Sequence, residues 1–106
     1  GSDSPVESFN PLWGVYAAVT RSDADGRPEG GWNPSQRLSV QEAVDLYTRG
    51  GAYASFEEHR KGILAEGMLA DAVVLDRDIF AVPHAEIKDA RVVLTMSGGR
   101  VVHRTA

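Results

Sequence analysis

The chain has 106 residues, of which 15 are acidic and 11 are basic, so its formal net charge is −4 at pH 7. With 42% hydrophobic and 25% charged residues, it has the composition of one globular domain and not of a disordered segment. An acidic chain without a basic cluster is a poor partner for nucleic acid. The absence of cysteine excludes disulfides, thiolate metal sites and cysteine nucleophiles.

No membrane segment is visible in the sequence. The longest apolar runs, such as residues 72–75, fall far short of the roughly 20 residues that cross a bilayer, and no signal or anchor is visible in these residues. We therefore expect no membrane partner and a cytoplasmic location. Neither Met68 nor Met96 stands at the start, which indicates a processed chain or a fragment, and Gly1-Ser2 would also fit a vector-derived remnant.

The first predicted element is a helix after Asn10. Asn10 can cap it, Pro11 suits its first position, and Thr20-Arg21 would lie at its end. Four apolar residues recur at helical spacing and predict one buried face: Leu12, Val15, Tyr16 and Val19.

Residues 21–38 lack periodicity and contain several turn signals, which predicts a loop. Connections longer than roughly 12–15 residues are usually functional or linkers. Trp32 within this polar segment has two interpretations: it anchors a lid, or it covers a neighbouring core.

A second helix is predicted from Ser39, because Ser39 and Glu42 form a capping box. We expect it to end at Gly50-Gly51, where a left-handed turn is available, and a third helix to cover residues 52–60. The mixed charges of residues 57–61 indicate a solvated face.

The second half is predicted to be β-structure. Residues 72–75 and 91–96 are β-prone runs, and Gly98-Gly99 predicts a type I′ hairpin to a third strand over residues 100–103. Residues 83–89 would form a helical turn or loop. Helices followed by strands, without βαβ alternation, predict an α+β fold with a thin three-stranded sheet.

The stretch Gly62-Ile63-Leu64-Ala65-Glu66-Gly67-Met68-Leu69-Ala70-Asp71-Ala72-Val73-Val74-Leu75-Asp76 resembles the C-terminal return of the amidohydrolase superfamily. In that family the chain leaves a metal-dependent β/α barrel and enters a composite β-sandwich. Further stretches are similar to the branch of N-substituted formamide deformylases: Ser2-Asp3-Ser4-Pro5-Val6, Thr20-Arg21, Gly31-Trp32-Asn33-Pro34, Arg37-Leu38-Ser39 and Tyr53-Ala54-Ser55-Phe56-Glu57.

The resemblance implies that residues 1–61 are the helical end of the barrel and residues 62–106 a segment of the sandwich. It implies a hydrolase for non-peptide carbon–nitrogen bonds in small amide-type substrates, with one or two divalent metals, zinc foremost. The family's histidine ligands lie on barrel strands that are not found here. We therefore expect the chain alone to be an inactive C-terminal fragment without a bound cofactor.

Asp3 is the one catalytic residue that the resemblance places in this chain. It matches the carboxylate at the end of the eighth barrel strand, which takes a proton from water and returns it to the leaving nitrogen. It is also a candidate metal ligand, together with ligands absent from this chain. From the residues alone, the favoured interpretation of Asp3 is a turn or capping residue before the helix.

The remaining polar candidates have structural interpretations. His59, His84 and His103 lack the spacing of a metal motif and are expected at the surface. Asp71 and Asp76 bracket a predicted buried strand and are expected to bind backbone N–H groups at its turns.

The alternative function is a stand-alone, non-catalytic interaction or structural module. Its thin sheet and unpaired strand edges predict self-association, which we expect under either hypothesis.

Overall fold

The computed structural model describes residues 2–105, so Gly1 and Ala106 lie outside the described part. It contains three α-helices, α1 (Pro11–Thr20), α2 (Val40–Tyr47) and α3 (Arg49–Ala54), and three strands, β1 (Ala72–Leu75), β2 (Val92–Ser97) and β3 (Arg100–Arg104). Two short 3₁₀ helices span Pro34–Gln36 and His84–Asp89. The predicted α+β architecture is confirmed for these residues, whereas the barrel and sandwich context stays a prediction.

The described chain divides into two compact units. The helical unit comprises residues 2–44 and Asp78–Ala90, and the sheet unit comprises Asp45–Arg77 and residues 91–105. The predicted domains, residues 1–61 and residues 62–106, are domains of a longer parent enzyme, and this division stays a prediction. Their outermost residues, Gly1 and Ala106, lie outside the described residues. No helix within residues 2–105 is long and apolar enough to cross a membrane.

Helix α1 forms as its sequence predicts. The side chain of Asn10 accepts a hydrogen bond from the backbone N–H of Leu12 at 3.0 Å, which caps the first turn. Arg21 follows the last turn in a left-handed conformation with φ 57°. The buried face packs against the 3₁₀ helix His84–Asp89, where Ile87 is fully buried. These contacts build the core of the helical unit.

The start of α2 is the predicted capping box. The backbone N–H of Ser39 donates to Glu42 Oε2 at 2.8 Å, and the N–H of Glu42 donates to Ser39 Oγ at 3.1 Å. The hydrogen bonds from the Ser39 backbone and then from its hydroxyl stabilise the carboxylate and lower the pKa of Glu42.

The predicted ends of α2 and α3 are wrong. Helix α2 ends at Tyr47, and Gly50 and Gly51 lie inside α3 instead of forming a left-handed turn. Helix α3 ends at Ala54, not at residue 60, because Phe56 adopts the left-handed conformation with φ 59°. The N–H of Glu57 then donates to Ala52 O at 2.9 Å, which closes a Schellman-type end.

The sheet is antiparallel, in the order β1-β2-β3. Val73 pairs with Thr95, and Thr95 pairs with His103. Gly98 and Gly99 have φ values of 56° and 79°, which confirms the predicted I′-type connection. The prediction that β1 is buried is wrong, because Val73 is 57% and Val74 is 50% exposed. Within residues 45–77 and 91–105, only Ala52 is a buried apolar residue.

Candidate functional site

Asp3 lies in a tight turn on the surface of the helical unit. Its backbone has φ 57°, and its carbonyl oxygen accepts a hydrogen bond from the N–H of Val6 at 2.9 Å. Ser2 Oγ accepts from the N–H of Ser4 at 3.3 Å in the same segment. Among residues 2–105 nothing forms a hydrogen bond or ion pair with the exposed Asp3 carboxylate.

Hydrogen bonds between near neighbours order the residues that lead into helix α1. Ser8 Oγ accepts from the N–H of Asn10 at 3.2 Å, and Asn10 in turn caps the helix. Two apolar side chains in this connection, Val6 and Phe9, are strongly exposed. The buried face of α1 thus holds one end of the segment while Asp3 faces solvent at the other.

The loop over residues 21–38 is fastened to the end of α1. The guanidinium of Arg21 lies 4.9 Å from the centre of the Trp32 ring, its Nε donates to Trp32 O at 3.0 Å, and the N–H of Trp32 donates to Arg21 O at 2.8 Å. Trp32 is 64% exposed, so the interpretation that it covers a core is wrong. Its alternative role in a lid stays a prediction.

The three histidines do not come together in a metal site. His59, His84 and His103 are all exposed, as predicted. Within residues 2–105, no three or more His, Cys, Asp or Glu side chains form a group that could hold a metal ion. A catalytic zinc takes about three protein ligands, so the described residues do not fit a metal site by themselves.

Asp71 and Asp76 have the structural roles that their sequence positions predict. Asp71 Oδ1 accepts from the N–H of Gly98 at 2.7 Å and holds the hairpin turn. Asp76 Oδ1 accepts from the N–H of Arg91 at 2.9 Å. The side chain of Arg77, followed by this backbone hydrogen bond, lowers the pKa of Asp76. Both carboxylates therefore stabilise the ends of β1.

The sheet unit contains an open apolar groove of about 550 Å³ that the sequence did not predict. It lies beside β1 and is lined in part by Ala52, Ile63, Leu64 and Val73. Lys61 also borders it, and its Nζ forms an ion pair with Glu57 Oε2. No local sequence pattern predicts this groove, because residues from three separate stretches of the chain form its walls.

A cavity of about 190 Å³ in the helical unit is bordered by Arg37, His84 and two hydroxyl groups. The hydroxyl of Thr20 donates to Tyr16 O at 2.8 Å, and that of Ser22 donates to Pro28 O at 3.1 Å. Because both hydroxyl protons are donated to backbone carbonyls, neither hydroxyl offers a donor to an anion in this cavity.

A known protein family matches almost the whole chain. A family model described as the amidohydrolase family matches residues 1–103. The chain belongs to the amidohydrolase family. The resemblance predicted from its sequence is thereby confirmed, and amidohydrolases are generally metal-dependent hydrolases of small molecules.

Three relatives resemble this amidohydrolase chain over most of its length. YtcJ of Bacillus subtilis (strain 168), which is named as an amidohydrolase, is 37% identical over 103 residues, or 97% of this chain and 20% of YtcJ. Protein LONG AFTER FAR-RED 3 of Arabidopsis thaliana is 34% identical over 103 residues, or 97% of this chain and 17% of that protein. The N-substituted formamide deformylase of Arthrobacter pascens is 30% identical over 98 residues, or 92% of this chain and 18% of the deformylase.

The chain therefore spans about a fifth of the length of these relatives. No solved structure matches it significantly. The family membership of these residues is shown, whereas the role of Asp3, the identity of the metal and the cytoplasmic location stay predictions.

Proposed function

We propose that this chain is the C-terminal part of a metal-dependent amidohydrolase that cleaves non-peptide carbon–nitrogen bonds of the amide type. The observation that carries the proposal is the family match over residues 1–103. The name of the Arthrobacter pascens relative, N-substituted formamide deformylase, supports an amide-type small molecule as the substrate class.

Asp3 is the proposed catalytic residue. The family resemblance supports this role, and the exposed carboxylate is accessible from solvent, so a substrate or water can approach it. In the proposed reaction, the oxygen of the attacking water bonds to the amide carbonyl carbon while Asp3 takes a proton from that water. Asp3 then gives that proton to the nitrogen as the carbon–nitrogen bond breaks, which yields a carboxylic acid and an amine.

The metal, for which we propose zinc, needs ligands from outside these 106 residues. The described residues offer no group of three or more suitable side chains, and a catalytic zinc takes about three protein ligands. We accordingly propose that residues 1–61 complete the barrel, that residues 62–106 contribute to a composite sandwich, and that the 106-residue chain alone has no hydrolase activity.

A chimeric enzyme tests the role of Asp3. Residues 1–103 of this chain would replace the corresponding segment of the Arthrobacter pascens deformylase, to which 98 residues of this chain are matched. Release of formate from an N-substituted formamide would be measured. We expect Asp3→Asn to lower kcat by about 10²- to 10⁴-fold, because general acid–base groups contribute on that order. The matched control is Asp25→Asn, which changes another exposed carboxylate of the helical unit and should leave kcat unchanged.

The chimera also contains the outcome that would reject this role. If Asp3→Asn and Asp25→Asn chimeras have the kcat of the unmodified chimera, Asp3 is not catalytic. If the isolated 106-residue chain binds zinc stoichiometrically and hydrolyses the formamide, the proposal that its metal ligands lie elsewhere is wrong.

The second candidate is a stand-alone, non-catalytic module, which the exposed sheet favours. Val73, Val74 and Val102 each expose about half of their side chains or more. The coding sequence upstream of Gly1 separates the two candidates. A continuous reading frame with histidine-rich barrel segments supports the hydrolase, and a start codon directly upstream supports the module.

A further inference from the structure

The turn that carries Asp3 also fixes the position of Val6. The N–H of Val6 donates to Asp3 O at 2.9 Å, so residues 3–6 form one hydrogen-bonded turn. The first and last residues of such a turn have Cα atoms within about 7 Å of each other. This proximity comes from a bond between residues three apart, so it depends on the local chain alone. Val6 is therefore a close neighbour of Asp3.

The side chain of Val6 takes no part in the core of the helical unit. It is 76% exposed, whereas the buried apolar side chains described in this unit begin at Leu12 on α1. Ser4 and Pro5 occupy the central positions of the turn, and Val6 lies opposite Asp3 across the hydrogen bond. The packing of this unit thus gives no reason for an apolar residue at position 6.

The proposed reaction determines which part of the substrate lies beside Asp3. To return its proton, the Asp3 carboxylate must come within hydrogen-bond distance of the leaving nitrogen, roughly 2.6–3.2 Å between heavy atoms. The substituent on that nitrogen begins one covalent bond away, so it lies beside Asp3 as well. A side chain in the Asp3 turn is therefore placed to contact the nitrogen substituent.

We propose that Val6 is a specificity-determining residue that contacts the substituent on the substrate nitrogen and favours an apolar one. The inference rests on the proposed function, because it uses Asp3 as the group that protonates this nitrogen. Contact between Val6 and an apolar substituent removes apolar surface of both from water, which is favourable. A polar substituent would lose water there without a new partner, because the valine side chain has no donor or acceptor.

Two substrates of equal length test this contact in the chimeric enzyme. N-propylformamide and N-(2-hydroxyethyl)formamide differ only in a terminal methyl or hydroxyl group, and we expect the unmodified chimera to have the higher kcat/KM for the propyl compound. Val6→Thr replaces a methyl group by a hydroxyl at nearly the same volume. It should lower the ratio of the two kcat/KM values by about tenfold, the lower end of what one methylene group contributes in an apolar pocket.

The ratio is insensitive to partial misfolding, because both substrates are measured on the same preparation. The matched control is Val102→Thr on β3, where Val102 is 52% exposed, and it should leave the ratio unchanged. Val6→Ala gives a second measurement. It should lower kcat/KM for N-propylformamide more than for N-methylformamide, because contact with the outer carbon atoms of the propyl group is lost.

Asp3→Asn separates failure of this inference from failure of the proposed function. Because Asp3 acts on every substrate, this variant should lower kcat for all three formamides. If it does so while Val6→Thr and Val6→Ala leave both ratios unchanged, or while Val102→Thr alters the first ratio equally, the role of Val6 is wrong and the proposed function stands. If Asp3→Asn has no effect, or the unmodified chimera hydrolyses none of the three, the proposed function fails and this inference with it.

Discussion

The helical unit and the sheet unit are stabilised in different ways. Nine of the ten buried apolar side chains among the described residues belong to the helical unit, and the sheet unit contributes only Ala52. The sheet unit relies instead on its backbone ladder and on carboxylates such as Asp71 and Asp76, which accept hydrogen bonds from backbone N–H groups. Burial of apolar side chains thus stabilises mainly the helical unit, whereas hydrogen bonds stabilise mainly the sheet unit.

Each unit has the local structure that the family match covers, but neither contains a complete catalytic site among its described residues. The helical unit holds Asp3 in a surface turn seven residues before the N-cap of a well-packed helix, without any other part of a catalytic centre among its described residues. The sheet unit exposes apolar side chains that a stable single layer would bury. The family match covers both units, and the three relatives named above are about five to six times as long, while neither unit forms a metal site among its described residues.

The largest expected effect is at Ile87 in the helical unit. Ile87 is 0% exposed, so Ile87→Ala should lower the free energy of unfolding by about 2–5 kcal/mol, the range for large-to-small core substitutions. The matched control is Ile63→Ala in the sheet unit, where Ile63 is 42% exposed and the loss should not exceed about 1 kcal/mol. Urea denaturation measures both, and equal losses would contradict the comparison.

The next effect tests whether the tight packing extends to the loop over residues 21–38. Gly30 and Gly31 have φ values of +78° and +86°, so alanine is strained at both, by about 1–2 kcal/mol. A Cβ on Gly31 would also lie 2.2 Å from Thr20 O, whereas one on Gly30 has no neighbour within 4 Å. Gly31→Ala should therefore lower the melting temperature clearly more than Gly30→Ala.

One result would contradict the predicted difference between Gly31→Ala and Gly30→Ala. Equal melting temperatures for the two variants would mean that the loop moves away from Thr20 without cost. The loop would then lie outside the packed part of the helical unit, and the hydrogen bonds and ring contact between Arg21 and Trp32 would not restrain it.

Sequence predicted the elements whose signals are local. Asn10 and Pro11 start α1, the Ser39–Glu42 pair starts α2, and Gly98-Gly99 turns the hairpin, each by a bond or a conformation that neighbouring residues determine. These signals are correct because the residues that make them need nothing from distant parts of the chain.

The end of α3 shows where local signals fail. Gly50-Gly51 predicts a helix end, but the cost of glycine in a helix is only about 1 kcal/mol and packing outweighs it. Ala52 is buried, and a Cβ on Gly62 would lie 2.9 Å from its methyl group. The left-handed residue that ends the helix is Phe56, and a phenylalanine at this position gives no warning in the sequence.

The candidate site was less predictable than the fold. Asp3 follows from resemblance alone, because its carboxylate has no partner within residues 2–105 whose geometry would reveal a role. The groove beside β1 was missed, since its walls come from stretches that only the fold brings together. Chemistry that depends on several separate segments cannot be deduced from one fifth of a relative's length.

The smallest expected effect concerns acid, and it should act on the sheet unit before the core of the helical unit. The side chain of Lys61, and then that of Ser55, lower the pKa of Glu57 below its ordinary value of 4.5. Arg77 and then the Arg91 N–H lower the pKa of Asp76 below 3.8. Carboxylates with lowered pKa values stabilise the folded state above their unfolded pKa, and this stability is lost as pH falls through the folded pKa.

Hydrogen exchange can compare the two units under these conditions. Between about pH 6 and about pH 3, the protection factors of β2 amides should fall more than those of α1, whose buried apolar face does not titrate. Asp76→Asn should reduce protection of β2 at pH 6 and make it less dependent on pH, because the amide lacks the charge that Arg77 and Arg91 stabilise. A parallel decline of α1 and β2 would instead show that both units open as one, and burial in the helical unit would then also support the sheet.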